Sequence, residues 1–390
     1  MINMSSYYAG TSKSLGNSNL FEIFKLIYQA EEITRVELGI NSQYSPGTIS
    51  NHVNTLIEKG LVIEKEKSFS RGGRKPVILK INPEKHYIFA AKIGVNIIEV
   101  FLLDLVLNTI EKKEVEIPAK NSYQFSLDFI NQQINEFIRD YDLTVEDVLG
   151  FGISAPALVD IHKGVIKFAP NLKWHNEDII SDLEIDLDIP IFLGNEAKLG
   201  AIGEKYLKEN DANNLVYISI NEGIGCGIII NGEVYLGSSD NAGEYGHVII
   251  DNDGPACHCG NYGCWETLAS ENFVERIWAQ TTGEKKSKNE IYKLGKDGDE
   301  KAIKIFNEVG TNIGLGIANI VNGISPNRII IGGNILKIKE FIEAPIKEKA
   351  EEKSLAITYK NVDIDFATYN GLSEVFGIGH LIIDQCLEII

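Results

Sequence analysis

Residues 246–266 read GHVIIDNDGPACHCGNYGCWE. Within this glycine-rich stretch His247, Cys257, Cys259 and Cys264 offer one imidazole and three thiols, the ligand set of a closed, tetrahedral, structural Zn2+ site. Soft sulfur donors select such a metal, and the glycines permit tight turns around it. His258 competes with His247 for the nitrogen position, although a place between two cysteines is cramped. The alternative is three buried thiols with no ion. A closed site leaves no open position for catalytic water, so the expected role of the metal is to organise the loop.

What the loop would organise lies beside it. Glu244 precedes His247 by three residues and Glu266 follows Cys264 by two, so a bound ion would hold two carboxylates in fixed geometry. Asn195 and Glu196 end the apolar stretch IPIFLGNE (189–196), where an α/β fold usually places ligands, at the C-terminal end of a strand. Two or three carboxylates and an amide suit a polyhydroxylated ligand, since each accepts from hydroxyl groups. Taken singly, each is equally a surface acid.

Around this region strands and helices alternate. A long apolar run at 87–104 is relieved by Lys92, Asn96 and Glu99, and a second strand ends near Pro118. Further strands are expected at 148–154, 189–193, 216–220, 227–230 and 328–331, and helices at 126–141, 197–208, 270–280, 301–322 and 371–388. That alternation predicts an α/β protein. No internal duplication is visible in the residues.

The N-terminal part has a different character. Leu20, Ile23, Phe24, Ile27 and Tyr28 mark one face of a helix; Thr34 and Glu37 form a capping-box pair opening a second; Ser45-Pro46 opens a third, with Ile49, Val53, Leu56 and Ile57 inward. Segments 61–67 and 77–81 then form a strand pair with a basic tip, Arg71-Gly72-Gly73-Arg74-Lys75-Pro76. Helices plus hairpin predict a winged helix-turn-helix over residues 1–85. Thr48, Ser50, Asn51 and Asn54 on the third helix are short hydrogen-bonding side chains able to approach a major groove, and Arg71, Arg74 and Lys75 suit a narrow minor groove. A solvated turn, or a protein-interaction module of the same shape, is the bland alternative.

Charge supports that division. Residues 1–85 hold 11 basic and 8 acidic side chains, a net +3, so the rest carries −21 to give the chain its −18. A body this acidic repels phosphate backbones, so any nucleic-acid contact falls to the N-terminal unit. The chain has 390 residues, 44% hydrophobic and 24% charged, enough for more than one domain, and no apolar run nears the ~20 residues of a membrane span. With no export or transit pattern at its start, and an odd count of five cysteines, a reducing cytoplasmic setting is expected. Cys226 and Cys386 read as small core residues.

Three blocks, GNEAKLGAIGE (194–204), NEGIGCGIIINGEVYLGSSDNAGEYGHV (221–248) and CHCGNYGCWE (257–266), resemble the signatures of the ROK family (repressors, open reading frames and kinases), and the winged helix with RGGRKP (71–76) resembles its repressor branch, the NagC, Mlc and xylose-repressor type. The resemblance covers nearly the whole chain. It implies an actin-like, two-lobed sugar-kinase fold, ribonuclease H-like, behind the winged helix: lobes at 86–195 and 196–390, the last helix returning to the first lobe, and a homodimer or tetramer. It also implies that Asn195, Glu196, Glu244, His247 and Glu266 contact a sugar such as xylose, glucose or N-acetylglucosamine, and that His247, Cys257, Cys259 and Cys264 ligate zinc, His247 serving both.

Departures from the family pattern bear on catalysis. Its kinases open the body with D-x-G-G-T, where this chain has Lys92-Ile93-Gly94-Val95-Asn96, an ammonium in place of the metal-binding carboxylate. G-T-G-I-G becomes Asn221-Glu222-Gly223-Ile224-Gly225, which sets a negative side chain near the polyphosphate path. The catalytic Asp becomes Glu196, one methylene longer. Asn51 also stands where related recognition helices often have Arg. These changes predict a sugar-responsive transcriptional regulator without catalytic residues; the alternative is a sugar kinase with an accessory DNA-binding domain.

Overall fold

The computed structural model describes residues 18–66, 77–118, 122–206, 213–369 and 371–387. The N-terminal unit runs α1 (Ser18–Ala30), β1 (Ile33–Thr34), α2 (Arg35–Asn41), α3 (Pro46–Glu58), β2 (Val62–Glu66) and β3 (Val77–Ile81), the element order of a winged helix. Its caps form as the residues dictate. The Thr34 hydroxyl accepts from Glu37 N–H while the Glu37 carboxylate accepts from Thr34 N–H, and Ser45 caps α3 ahead of Pro46. β3 is the middle strand between β1 and β2, antiparallel to both. The basic tip, with Arg71, Arg74 and Lys75, lies outside the described residues.

The body follows as β4 (Tyr87–Ile93), β5 (Ile97–Asp104), β6 (Thr109–Glu116), α4 (Ser122–Asp140) and β7 (Val148–Ala155). A small antiparallel sheet comes next, β8 (Leu158–Asp160), β9 (Val165–Ala169) and β10 (Trp174–Glu177), then α5 (Ile179–Asp182), β11 (Ile191–Asn195) and α6 (Glu196–Lys205). The second half comprises β12 (Leu215–Ile220), β13 (Ile224–Ile230), β14 (Glu233–Val234), α7 (Glu266–Ala269), α8 (Glu271–Thr282), α9 (Lys288–Lys296) and α10 (Glu300–Ile324). It ends with β15 (Arg328–Gly332), α11 (Lys339–Lys353), α12 (Ala356–Tyr359), β16 (Asp363–Phe366) and α13 (Ser373–Leu387).

The two large sheets have one topology. The first is ordered β6-β5-β4-β7-β11 and the second β14-β13-β12-β15-β16; in each, the first three strands of the chain form an antiparallel meander and the next two add in parallel. This duplication of backbone is hidden in the residues because a sheet needs burial pattern, not identity. β7 and β12 are buried at every position, as central strands covered on both faces must be.

One expectation changes. The apolar run 87–104 is two strands, turned at Gly94–Asn96 so that Lys92 pairs with Glu99 across the ladder. The 158–177 region, which carries no strong periodicity, supplies the small sheet. One apolar core joins the N-terminal unit to the first lobe, through Ile23, Ile27, Val53, Phe89 and Phe151, with Ile378 and Ile382 of α13; Ile218, Trp265, Phe306 and Ile331 centre the second. α13 packs on β4 and β7 of the first sheet and on α6. No described helix is long and apolar enough to cross a membrane.

Candidate functional site

A cleft of about 1240 Å3 opens between the two large sheets, and Asn195, Glu196, Glu244, His247 and Glu266 all line it. Asn195 ends β11 and caps α6: its Oδ1 accepts from the N–H groups of Ala197 and Lys198 at 3.1 and 3.2 Å, and its Nδ2 donates to the Ala157 carbonyl at 3.1 Å. One amide hydrogen remains for a ligand. Glu196 opens α6 in the same turn, 3.4 Å from the Ser219 hydroxyl. Burial raises its carboxyl from 4.5 to about 7, with Glu374 pushing the same way and Lys92 opposing.

That shift has a sign in stability. Between the unfolded value and about 7 the folded chain keeps a proton that the unfolded chain has released, so stability falls as pH rises through this window. Glu196→Gln should flatten that part of the melting-temperature curve; a slope identical to that of the parent chain would place the titration elsewhere.

The loop after β14 brings the cysteines together. One donor atom from each of His247, Cys257, Cys259 and Cys264 lies within 4.8 Å of the others, so the four could hold a metal ion. Sulfur ligands about 2.3 Å from a tetrahedral ion stand about 3.7 Å apart. Cys259 Sγ and Cys264 Sγ are 3.6 Å apart, and Cys257 Sγ lies 3.7 Å from His247 Nδ1. These two separations are those of coordinated donors, and Nδ1 is the nitrogen turned to Cys257. Glu266 is buried against this cluster, its Oε1 3.1 Å from Cys257 Sγ, 3.6 Å from His247 Nδ1 and 3.4 Å from His258 Nε2. His258 thus meets Glu266, with which it and His247 form a second, overlapping cluster. The other Glu266 oxygen faces Gly223, where a Cβ would lie 2.9 Å from it. Burial raises the Glu244 carboxyl, and His247 moderates the effect.

The positions that depart from the kinase pattern are filled by ion pairs. Lys92 Nζ lies 2.8 Å from Glu374 Oε1 and 3.6 Å from Glu99, and donates to the Gly371 carbonyl at 2.7 Å. Desolvation works against its charge, but Glu374, Glu99 and Glu196 outweigh it and hold the ammonium protonated. Glu222 is not the bare negative charge expected: Lys288 approaches it at 2.5 Å, while Asn96 donates to it at 2.9 Å. The repulsion is softened and the space occupied. Glu374 and Lys288 escape sequence reasoning, because Lys92 and its Gly371 partner stand 279 residues apart, Lys288 and Glu222 stand 66 apart, and no local pattern joins them.

On the N-terminal unit, Asn51 and Asn54 are exposed on α3, whereas Thr48 and Ser50 are half-buried. Thr48 is tied to the cap through the Ser45 hydroxyl at 2.9 Å. Asn54 accepts from both terminal nitrogens of Arg35, which also pairs with Glu64 at 2.8 Å. Arg35 joins this polar face unannounced, since in sequence it is the first residue of another helix.

Known proteins match the chain along nearly its whole length. The xylose repressor of Bacillus subtilis is 30% identical over 369 residues, covering 94% of this chain and 95% of that protein. The solved structure of a ROK family transcriptional regulator, described as a homologue of the E. coli MLC protein, superposes with a TM-score of 0.78 at 26% identity, covering 95% of this chain and 97% of that one. A ROK family glucokinase from Streptomyces griseus, solved with glucose and AMPPNP, shares the fold over 76% of this chain and 98% of its own, with a TM-score of 0.67 at 23% identity. The family model described as ROK matches residues 88–384, the whole two-lobed body, and the chain belongs to the ROK family.

Proposed function

We propose that the chain is a sugar-responsive transcriptional repressor of carbohydrate-utilisation genes that has no kinase activity. The carrying observation is a single cleft in which five hydroxyl-accepting or donating side chains converge while Lys92 stands where a kinase needs a metal-binding acid. Asn195, Glu196, Glu244, His247 and Glu266 bind the sugar, xylose being the first candidate in view of the xylose repressor among its relatives, with glucose and N-acetylglucosamine next. His247, Cys257, Cys259 and Cys264 hold a structural Zn2+, and the ion positions His247 and Glu266 without joining any reaction.

The winged helix binds operator DNA, Thr48, Ser50, Asn51 and Asn54 at the major groove and Arg71, Arg74 and Lys75 at the minor groove, as a cytoplasmic homodimer reading two half-sites. Sugar closes the cleft and weakens that binding. Calorimetry against the three sugars should give heat with at least one, and the same protein with Mg-ATP should release no ADP. Turnover with a bound sugar would overturn the absence of kinase activity, and no heat with any aldose would overturn the sugar site.

A further inference from the structure

Two helices each bring one acid to the cleft, and the N-terminal unit rests against the second of them. α6 starts at Glu196 and lies on β12 and β13 of the second sheet; α13 has Glu374 in its first turn and lies on β4 and β7 of the first. They touch backbone to backbone. A Cβ on Gly203 would lie 2.0 Å from the Ser373 carbonyl oxygen, and one on Gly377 would lie 1.9 Å from that of Leu199. Contacts this close have no slack, so a shift of one lobe against the other passes along the helices instead of being absorbed between them.

Away from the cleft α13 meets α1, and the end of α6 joins them through α13. Tyr206, which closes α6, stacks on His380 of α13 with ring centroids 4.0 Å apart and planes at 14°. Tyr28 of α1 meets His380 edge-on, 5.7 Å away at 76°. Asp384 accepts from the Tyr206 hydroxyl and pairs with Lys25 of α1 at 3.0 Å. One ring of the first lobe's helix is thus held between a ring from the second lobe's helix and a ring from the winged helix. Lys25 and Asp384 are partly exposed, at 36 and 27%, so their pairing orients more than it stabilises. Burial, aided by Lys205 and Lys25, lowers His380 to about 3, so the joint keeps one charge state across physiological pH.

We propose that the Tyr28–His380–Tyr206 stack, tied by Asp384 to Lys25, is the joint through which closure of the lobes on a sugar changes the placement of the winged helix. This rests on the reading of the chain as a sugar-controlled DNA-binding repressor. The test uses the full chain and DNA from its own promoter, with affinity measured with and without saturating xylose, glucose or N-acetylglucosamine, and sugar binding followed by calorimetry. The parent chain and Tyr28→Phe, which keeps the ring, should show a sugar-dependent change of about 5- to 150-fold. Tyr28→Ala with Lys25→Ala should still bind sugar and DNA, with a change within about twofold of none. Tyr28→Leu, which fills the space without an aromatic edge, should lose the response in the same way if the double variant fails to fold. A variant that binds both ligands and responds like the parent overturns the joint and leaves the repressor reading standing. A parent chain that responds to none of the three sugars overturns the repressor reading and the joint with it.

Discussion

Replacing Cys264 by serine should abolish the proposed zinc binding and the proposed sugar affinity together, while Cys386→Ser, at a cysteine outside both the cluster and the cleft, should leave both in place. Cys264 is fully buried, its Sγ is 3.6 Å from that of Cys259, and a β-bridge to Ile249 fixes its backbone. Structural zinc supplies about 10–16 kcal/mol of apparent binding free energy in isolated zinc-finger peptides. Here most of the body keeps its own core, so the loss should fall on the loop and on what it holds. His247 and Glu266 are two of the five proposed sugar contacts. Hydrogen bonds to charged groups are worth about 1.5–3 kcal/mol each, so misplacing both should weaken sugar binding by more than about 100-fold. Metal analysis with calorimetry checks this. Full sugar affinity in a metal-free Cys264→Ser chain would separate the loop from the sugar site.

The second large effect is expected at Lys92. Its ammonium faces Glu374, whose side chain is 6% exposed, and removing one member of a buried pair leaves the other charge without compensation. Lys92→Ala should therefore cost about 3–5 kcal/mol near neutral pH, and Glu374→Gln in the same chain should restore most of it. Lys112 provides the contrast. It pairs with Glu99 and Glu114 at 2.6 Å but is 37% exposed, so Lys112→Ala should cost about 1 kcal/mol or less. Denaturant unfolding of the four chains is the check. A cost at Lys92 no larger than that at Lys112 would mean that the cleft acids do not need this cation.

What the residues announced and what they concealed divide along physical lines. The caps at Thr34 and Ser45, the apolar faces of α1 and α3 and the clustering of Cys257, Cys259 and Cys264 with His247 were all legible, because each is set by residue types at short spacing. Asn195 was legible as a strand-end polar residue, though its acceptor is already taken by the cap of α6. The pairing of Lys92 with Glu374 and of Glu222 with Lys288 was not, since it depends on how distant strands and helices are brought to one cleft. The same holds for the repeated sheet topology, in which β4 (YIFAAKI) and β12 (LVYISI) occupy equivalent places without a common motif to reveal it. Arg35 was hidden for a smaller reason: its reach across to Asn54 of α3 appears once α2 and α3 are packed.

The proposed repressor function turns on one coupling, from a sugar in the cleft to DNA at the N-terminal unit with no nucleotide between them. The direct measurement is the affinity of the full chain for DNA from its own promoter, at fixed salt and without ATP, before and after saturation with an aldose that calorimetry shows to bind. A loss of affinity of about tenfold or more is expected, equivalent to about 1.4 kcal/mol of coupling. The same affinity with and without every aldose that binds would contradict it.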